Sequence, residues 1–154
     1  MAFHIVLVEP EIPANTGNIS RTCAATGAWL HLVRPLGFNT DDKTLKRAGL
    51  DYWHAVHIEY HNSFQEVKDT YKHGRFFFAT TKATKVYSEF TFQDGDFFVF
   101  GKETKGLPSD ILSNHPDHLM RLPMTEAVRS LNLSNTAAIV LFEALRQTKF
   151  QGLS

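Results

Sequence analysis

Apolar residues in this chain fall into short blocks, cut by polar segments that carry proline and glycine. Residues 3–8 (FHIVLV) form a run closed by Glu9-Pro10 and read as a buried first strand. Residues 9–16 carry two prolines and lead through Asn15-Thr16-Gly17 into a helix that runs to about Thr26. Ile19 and Cys23 share its inward face, and Gly27 supplies the stop. A second strand follows at 29–33, ended by Arg34-Pro35. Asp41-Asp42 stands ready to cap a short helix through Leu45 and Ala48, and a strand is expected near 55–58. Residues 63–72 give an amphipathic helix with Phe64, Val67 and Tyr71 on one face. RFFFA at 75–79 and FFVF at 97–100 are short apolar strands of the kind covered on both faces, and 119–122 is a weaker one. Strands alternating with helices predict an α/β fold with a mainly parallel sheet flanked by helices.

The densest signal lies at 121–145, RLPMTEAVRSLNLSNTAAIVLFEAL. A helix needs one N-cap, and Asn132 or Ser134 would serve. Yet Ser130, Asn132, Ser134 and Asn135 crowd one turn, with Arg129 beside them. The surplus reads as a binding surface, where backbone N–H groups at a helix N-terminus meet an oxygen-rich ligand. Beyond it, 137–145 is apolar except for Glu143. A single sheet-facing stripe needs only about three or four apolar residues per two turns. A second buried face is therefore expected, most simply against a second copy of the chain in a two-fold homodimer. The alternative is a helix central to a three-layer fold.

Composition narrows the class without naming a partner. At 154 residues, 43 % hydrophobic and 21 % charged, the chain reads as one globular domain spanning 1–154. It has no apolar run of the ~18 residues a membrane span needs. The start, MAFHIVLVEPE, lacks a basic region before its apolar stretch, so no secretory leader is expected. Cys23 is the only cysteine, which excludes an internal disulfide and fits a reducing, cytoplasmic setting. Sixteen basic residues balance sixteen acidic ones, which argues against non-specific polyanion binding but leaves room for a local basic face.

Four loops follow strand ends: 9–16, 80–85, 101–108 and 123–133. In parallel α/β sheets such loops gather on one edge, where ligands bind. Asn15 and Arg21 belong to the first loop and its helix, with Arg21 about opposite Ile19; they read as a site pair or as an N-cap and a solvated arginine. The third loop is GKETKGLP, in which Gly101 admits a close ligand and Glu103 sits among Lys102 and Lys105. It reads equally as a polar turn. Dinucleotide and P-loop glycine patterns, HExxH, a cysteine set and GxSxG are all absent. His54, His57 and His61 straddle a strand and its exit and are not taken as a metal site. His115 and His118 flank a turn and read as solvated, and Cys23 reads as core.

Together, NTGNISRTCAATGA, FVFGKETKGLP and RLPMTEAVRSLNLSNTAAIVLFEALRQ resemble the three motifs of the SPOUT superfamily of S-adenosylmethionine-dependent RNA methyltransferases. The match runs nearly end to end, and the minimal domain is most similar to the branch that 2′-O-methylates the wobble nucleotide of tRNA. The resemblance implies a C-terminal deep trefoil knot that holds the methyl donor, bent, in loops 79–81, 101–103 and 122–132. The implied donor contacts are Ala79, Thr80, Thr81, Gly101, Glu103, Leu122, Met124, Ser130, Leu131 and Asn132. Asn15, Arg21, Ser130 and Asn132 match positions used in ribose methylation, with Arg21 reaching the donor pocket of the partner subunit. S-adenosylhomocysteine would be the product, no metal is implied, and the anticodon stem-loop of tRNA would be the partner. Lys102 stands where close relatives often have proline, Lys105 where arginine is common, and Phe142 where tyrosine is common. The rival readings are a catalytically silent RNA-binding or assembly factor on the same fold, a 2′-O-methyltransferase for another RNA site, a base methyltransferase, and a flavodoxin-like enzyme.

Overall fold

The computed structural model describes residues 2–39, 43, 47 and 50–154. Its strands are β1 (His4–Val8), β2 (Trp29–Val33), β3 (Ile58–His61), β4 (Phe76–Ala79), β5 (Phe97–Phe100) and β6 (Leu119–Met120). All are parallel, in the order β3-β2-β1-β5-β4-β6. The central pairing sets His4 against Trp29 on one side and Phe97 on the other. Helices α1 (Pro13–Thr26), α2 (Phe64–Thr70), α3 (Ser109–Ser113) and α4 (Leu133–Gln147) cover the two faces.

The period-two alternation of strand side chains makes two cores from one sheet. Ile5, Leu7, Leu30, Leu32 and Phe98 point to the face covered by α1 and α4, where Ile19, Cys23, Val140 and Leu141 meet them. Val6, Val8, Val33, Phe78 and Val99 point the other way, toward Phe64 and Val67 of α2 and Leu112 of α3. Each such side chain, fully buried, contributes about 1.5–3 kcal/mol against the cost of ordering the chain. Ser63 caps α2 by accepting from the Glu66 N–H, and Gly27, at φ 77°, ends α1 in the left-handed conformation that the sequence pattern anticipates.

Four expectations are corrected. The strand expected at 55–58 starts three residues later, because Leu50–Ala55 forms a 3-10 turn whose Trp53, with Val56 just after it, packs on the core from a turn rather than a strand. The last strand is regular only over Leu119–Met120, and Arg121 bridges to Val86 instead. His115 and His118 are not solvated: their Nδ1 atoms bond the Ile111 and Phe76 carbonyls at 2.8 Å, and their rings stack on Phe78 and Phe77. Asn15 lies inside the first turn of α1 rather than capping it, since the helix begins at Pro13. The helix expected after Asp41-Asp42 falls largely outside the described residues.

Candidate functional site

With every strand parallel, the loops after β1, β4, β5 and β6 meet at one edge of the sheet. They enclose a cavity of about 450 Å³. Ile12 and Asn15 come from the start of α1, Ala79, Thr80 and Thr81 from the exit of β4, and residues 101–107 from the exit of β5. Leu122, Met124 and residues 129–132 close it from the chain between β6 and α4, with Leu133 and Thr136 from the first turn of α4. Chain order reverses between β1 and β5, so the cavity lies beside the switch point where open α/β sheets place ligands. Of the candidate site residues, only Arg21 is not in its walls.

Glu103 reaches the cavity through the helix it holds. The N-cap of α1 is Ile12, which has no capping side chain, and Pro13 follows at the first helical position. The Glu103 carboxylate takes over the capping from another loop. It accepts from the Glu11 N–H at 2.8 Å, the Ile12 N–H at 2.9 Å and the Asn15 side-chain amide at 3.1 Å. The negative charge also suits the positive end of the helix. Glu11 returns the bond: its carboxylate accepts from the Thr104 N–H and hydroxyl at 3.0 and 2.7 Å, which holds its pKa below the usual range. The first and third loops are thereby stitched into one wall, with Asn15 buried inside it. Glu103→Ala is expected to cost about 1–3 kcal/mol in urea unfolding, because three donors lose their acceptor together. A loss no larger than that of an ordinary surface substitution would contradict this role.

Gly101 is required for a different reason from the one its sequence position suggests. A Cβ built there would collide with the backbone of Gly106 and Leu107. The close neighbour is thus the chain's own loop, which folds back through a Lys102–Gly106 bridge and turns at Gly106 with φ 68°. Lys102 is tied down by Glu9, at 3.5 Å.

At α4 the choice between two caps resolves to Asn132. Its Oδ1 accepts from the Ser134 and Asn135 N–H groups at 2.9 and 3.3 Å and from the Ser134 hydroxyl at 2.6 Å. Much of the polar surplus therefore serves the cap, and those two N–H groups are spent on it. Ser130 and Leu131 lie on the exposed rim. Lys82, Lys102, Lys105 and Arg129 also border the cavity, against the single acid Glu103. A chain of zero formal charge thus carries a basic mouth, suited to phosphate oxygens. Thr136, Leu107 and Leu112 complete the lining and were not singled out by sequence. Their signal is only an apolar or hydroxyl residue near a turn.

Arg21 stands on the exposed side of α1, its guanidinium 4.9 Å above the ring of Tyr52. It rests against that ring and is not among the residues lining its own chain's cavity.

Three known proteins and one family fit this architecture. The profile of the SpoU rRNA methylase family matches residues 2–142. A Bacillus subtilis (strain 168) protein named "Putative tRNA (cytidine(34)-2′-O)-methyltransferase" is 60 % identical, over 99 % of this chain and 98 % of its own. The tRNA (cytidine(34)-2′-O)-methyltransferase of Methylovorus glucosotrophus (strain SIP3-4) is 52 % identical, over 97 % of this chain and 98 % of its own. A solved structure concerned with 2-OH methylation of C/U34 on tRNA superposes with a TM-score of 0.91 at 41 % identity, covering 96 % of this chain and 97 % of its own.

Proposed function

The chain belongs to the SpoU rRNA methylase family, and from that premise we propose that it is an S-adenosylmethionine-dependent tRNA 2′-O-methyltransferase. Its target is the ribose 2′-hydroxyl of the wobble nucleotide, cytidine or a modified uridine at position 34. The observation that carries this reading is the convergence of all the motif loops on one cavity with a basic mouth. At about 450 Å³ it lies within the range of small-molecule sites. Its lining suits the donor's mixed character: Leu122, Met124, Leu131 and Ala79 offer apolar surface, while Thr80, Thr81, Ser130 and Asn132 bring hydroxyl, amide and backbone groups.

When bound, the donor supplies an electrophilic methyl group on a sulfonium that carries its own positive charge. The protein's share is position and electrostatics. Gly101 and the segment 122–132 set the donor's place, and Glu103 with Asn15 fix the neighbouring wall. Holding the two reacting groups in line accounts for several kcal/mol of the barrier on its own. Arginine is a poor base, because its pKa exceeds ~12. Arg21 instead pairs with a substrate phosphate and stabilises the alkoxide as it develops, while the proton leaves to a phosphate oxygen or to water.

Arg21 acts on the donor site of a second subunit, which makes the homodimer part of this reading. Ile139 and Phe142 remain 37 % and 46 % exposed on α4, whose Ala137, Val140, Leu141, Ala144 and Leu145 are buried, and they mark the face a second copy would cover. Sedimentation at micromolar concentration is expected to show a dimer, and Ile139→Asp or Phe142→Asp to dissociate it with loss of activity. A monomer that still methylates tRNA would contradict this. We also take the C-terminal part to be threaded as a deep trefoil knot. The placement of β6 outside β4, with α4 returning to α1 and β5, supports that path. Among the described residues no helix is long and apolar enough to cross a membrane, and we place the enzyme in the cytoplasm with its tRNA. Incubation with labelled donor and total tRNA is expected to transfer label to RNA. Donor or RNA binding without transfer would favour the silent assembly factor.

A further inference from the structure

On the opposite wing of the sheet from the cavity, three side chains from two adjacent strands converge. His31 of β2 and Glu59 and His61 of β3 bring one ligand atom each to within 4.8 Å of one another. None of the three lines the cavity. The His31 Nδ1 and His61 Nε2 atoms are 3.0 Å apart, and Glu59 Oε1 stands 3.5 and 3.6 Å from them. In a tetrahedral site with donors about 2.0–2.1 Å from zinc, neighbouring donors stand roughly 3.3 Å apart. The three edges of the observed triangle, 3.0, 3.5 and 3.6 Å, fall on either side of that spacing. We propose that His31, Glu59 and His61 bind one divalent transition-metal ion of the zinc class, with the fourth position left to solvent.

The surroundings match what such a site needs beyond its ligands. Two of the three ligands are hydrogen-bonded through the atom turned away from the ion, as metal-binding imidazoles and carboxylates commonly are: His31 through Nε2 and Glu59 through Oε2. His31 Nε2 bonds His4 Nδ1 at 2.9 Å, and His61 Nδ1 faces Glu66 Oε1 at 3.8 Å. His57 Nε2 meets Glu59 Oε2 at 2.7 Å, while Oε1 accepts from the Tyr71 hydroxyl at 2.6 Å with one lone pair and faces the two imidazoles with the other. His31 and His61 are almost fully buried while Glu59 is 28 % exposed, so an ion enters from the carboxylate side. Two nitrogens and one carboxylate favour zinc and its neighbours over magnesium or calcium, which take oxygen ligands. Among the described residues no other trio of this kind occurs. The ion would pin edge strand β3 to β2, with α2 held through Glu66. It has no part in the proposed methyl transfer, so the two readings stand or fall separately.

The test uses the full chain, stripped with a chelator, reloaded with Zn²⁺ and desalted, with metal counted by elemental analysis. One zinc per chain is expected, with a higher melting temperature than the stripped protein has. Co²⁺ in its place should give the intense visible bands of a four-coordinate ion. Glu59→Gln keeps the size of the side chain and should weaken zinc by at least about tenfold, with the circular dichroism of the stripped protein unchanged. Exposed histidines also collect zinc, so His54→Ala/His73→Ala is the control and should retain one equivalent. Should Glu59→Gln not fold, the wild-type count and the cobalt spectrum still decide. No zinc after desalting, a faint six-coordinate cobalt spectrum, or zinc that survives Glu59→Gln but is lost from the His54/His73 variant would overturn the proposal.

Discussion

Replacing Arg21 by alanine is expected to slow methyl transfer by about 10²–10³-fold, the range seen when one group that stabilises a developing oxyanion is removed. Stability should fall by no more than about 1 kcal/mol, the upper worth of an exposed cation–π contact. The two expectations separate because Arg21 is on the exposed side of α1, away from Ile19 and Cys23, with its guanidinium over the partly exposed ring of Tyr52. That cation–π contact is worth only about 0.5–1 kcal/mol at an exposed site. Donor binding should change little, since Arg21 is assigned to the substrate phosphate and the developing alkoxide rather than to the donor. Arg21→Lys should rescue poorly, because an ammonium lacks the planar fork that pairs with a phosphate. Single-turnover rates with saturating donor and tRNA decide the matter, and a near-normal rate for the alanine variant would remove Arg21 from the mechanism.

Gly101→Val is expected to lose measurable donor binding and to destabilise the fold by on the order of 3 kcal/mol, at the upper end for single substitutions. A side chain at 101 meets backbone, the part of a protein least able to give way, at Gly106 and Leu107. Relief requires opening the Lys102–Gly106 bridge, whose Gly106 N–H donates to the Lys102 carbonyl at 2.9 Å. That movement carries Glu103 with it and so uncaps α1. Gly106→Ala is the control, because its φ of 68° is strained for alanine but nothing lies within 4 Å of the new Cβ. It should cost only about 1–2 kcal/mol and leave donor affinity largely intact. Calorimetry and urea unfolding on the pair test this; unchanged affinity in Gly101→Val would reject the placement of the donor.

The sequence carried the parts of the fold whose signals are local. FFVF announced β5 residue for residue, Ser63 and Gly27 marked helix ends, and the parallel sheet required the motif loops to share an edge. Features made by partners distant in the chain were illegible. Glu103 looked like a charge in a turn, because the helix it caps lies about ninety residues away. Gly101 looked like a ligand's doorway, because only the folded loop brings Gly106 and Leu107 against it. His54, His57 and His61 drew attention by spacing but straddle a strand and its exit, whereas the cluster that forms keeps only His61 and joins it to Glu59 and to His31 from the next strand. His115 and His118 sit beside a proline turn, and the β4 phenylalanines stacked on their rings, with the Ile111 and Phe76 carbonyls, half-bury them.

The central claim is transfer to one hydroxyl, and a paired substrate tests it most directly. Two anticodon stem-loops, identical except that one carries 2′-deoxyribose at position 34, would be incubated with labelled S-adenosylmethionine and digested to nucleosides. The account predicts label in the 2′-O-methylated nucleoside from position 34 of the ribose substrate, and none in its deoxy counterpart. Equal labelling of the two, or label recovered on a base or at another position, would contradict it.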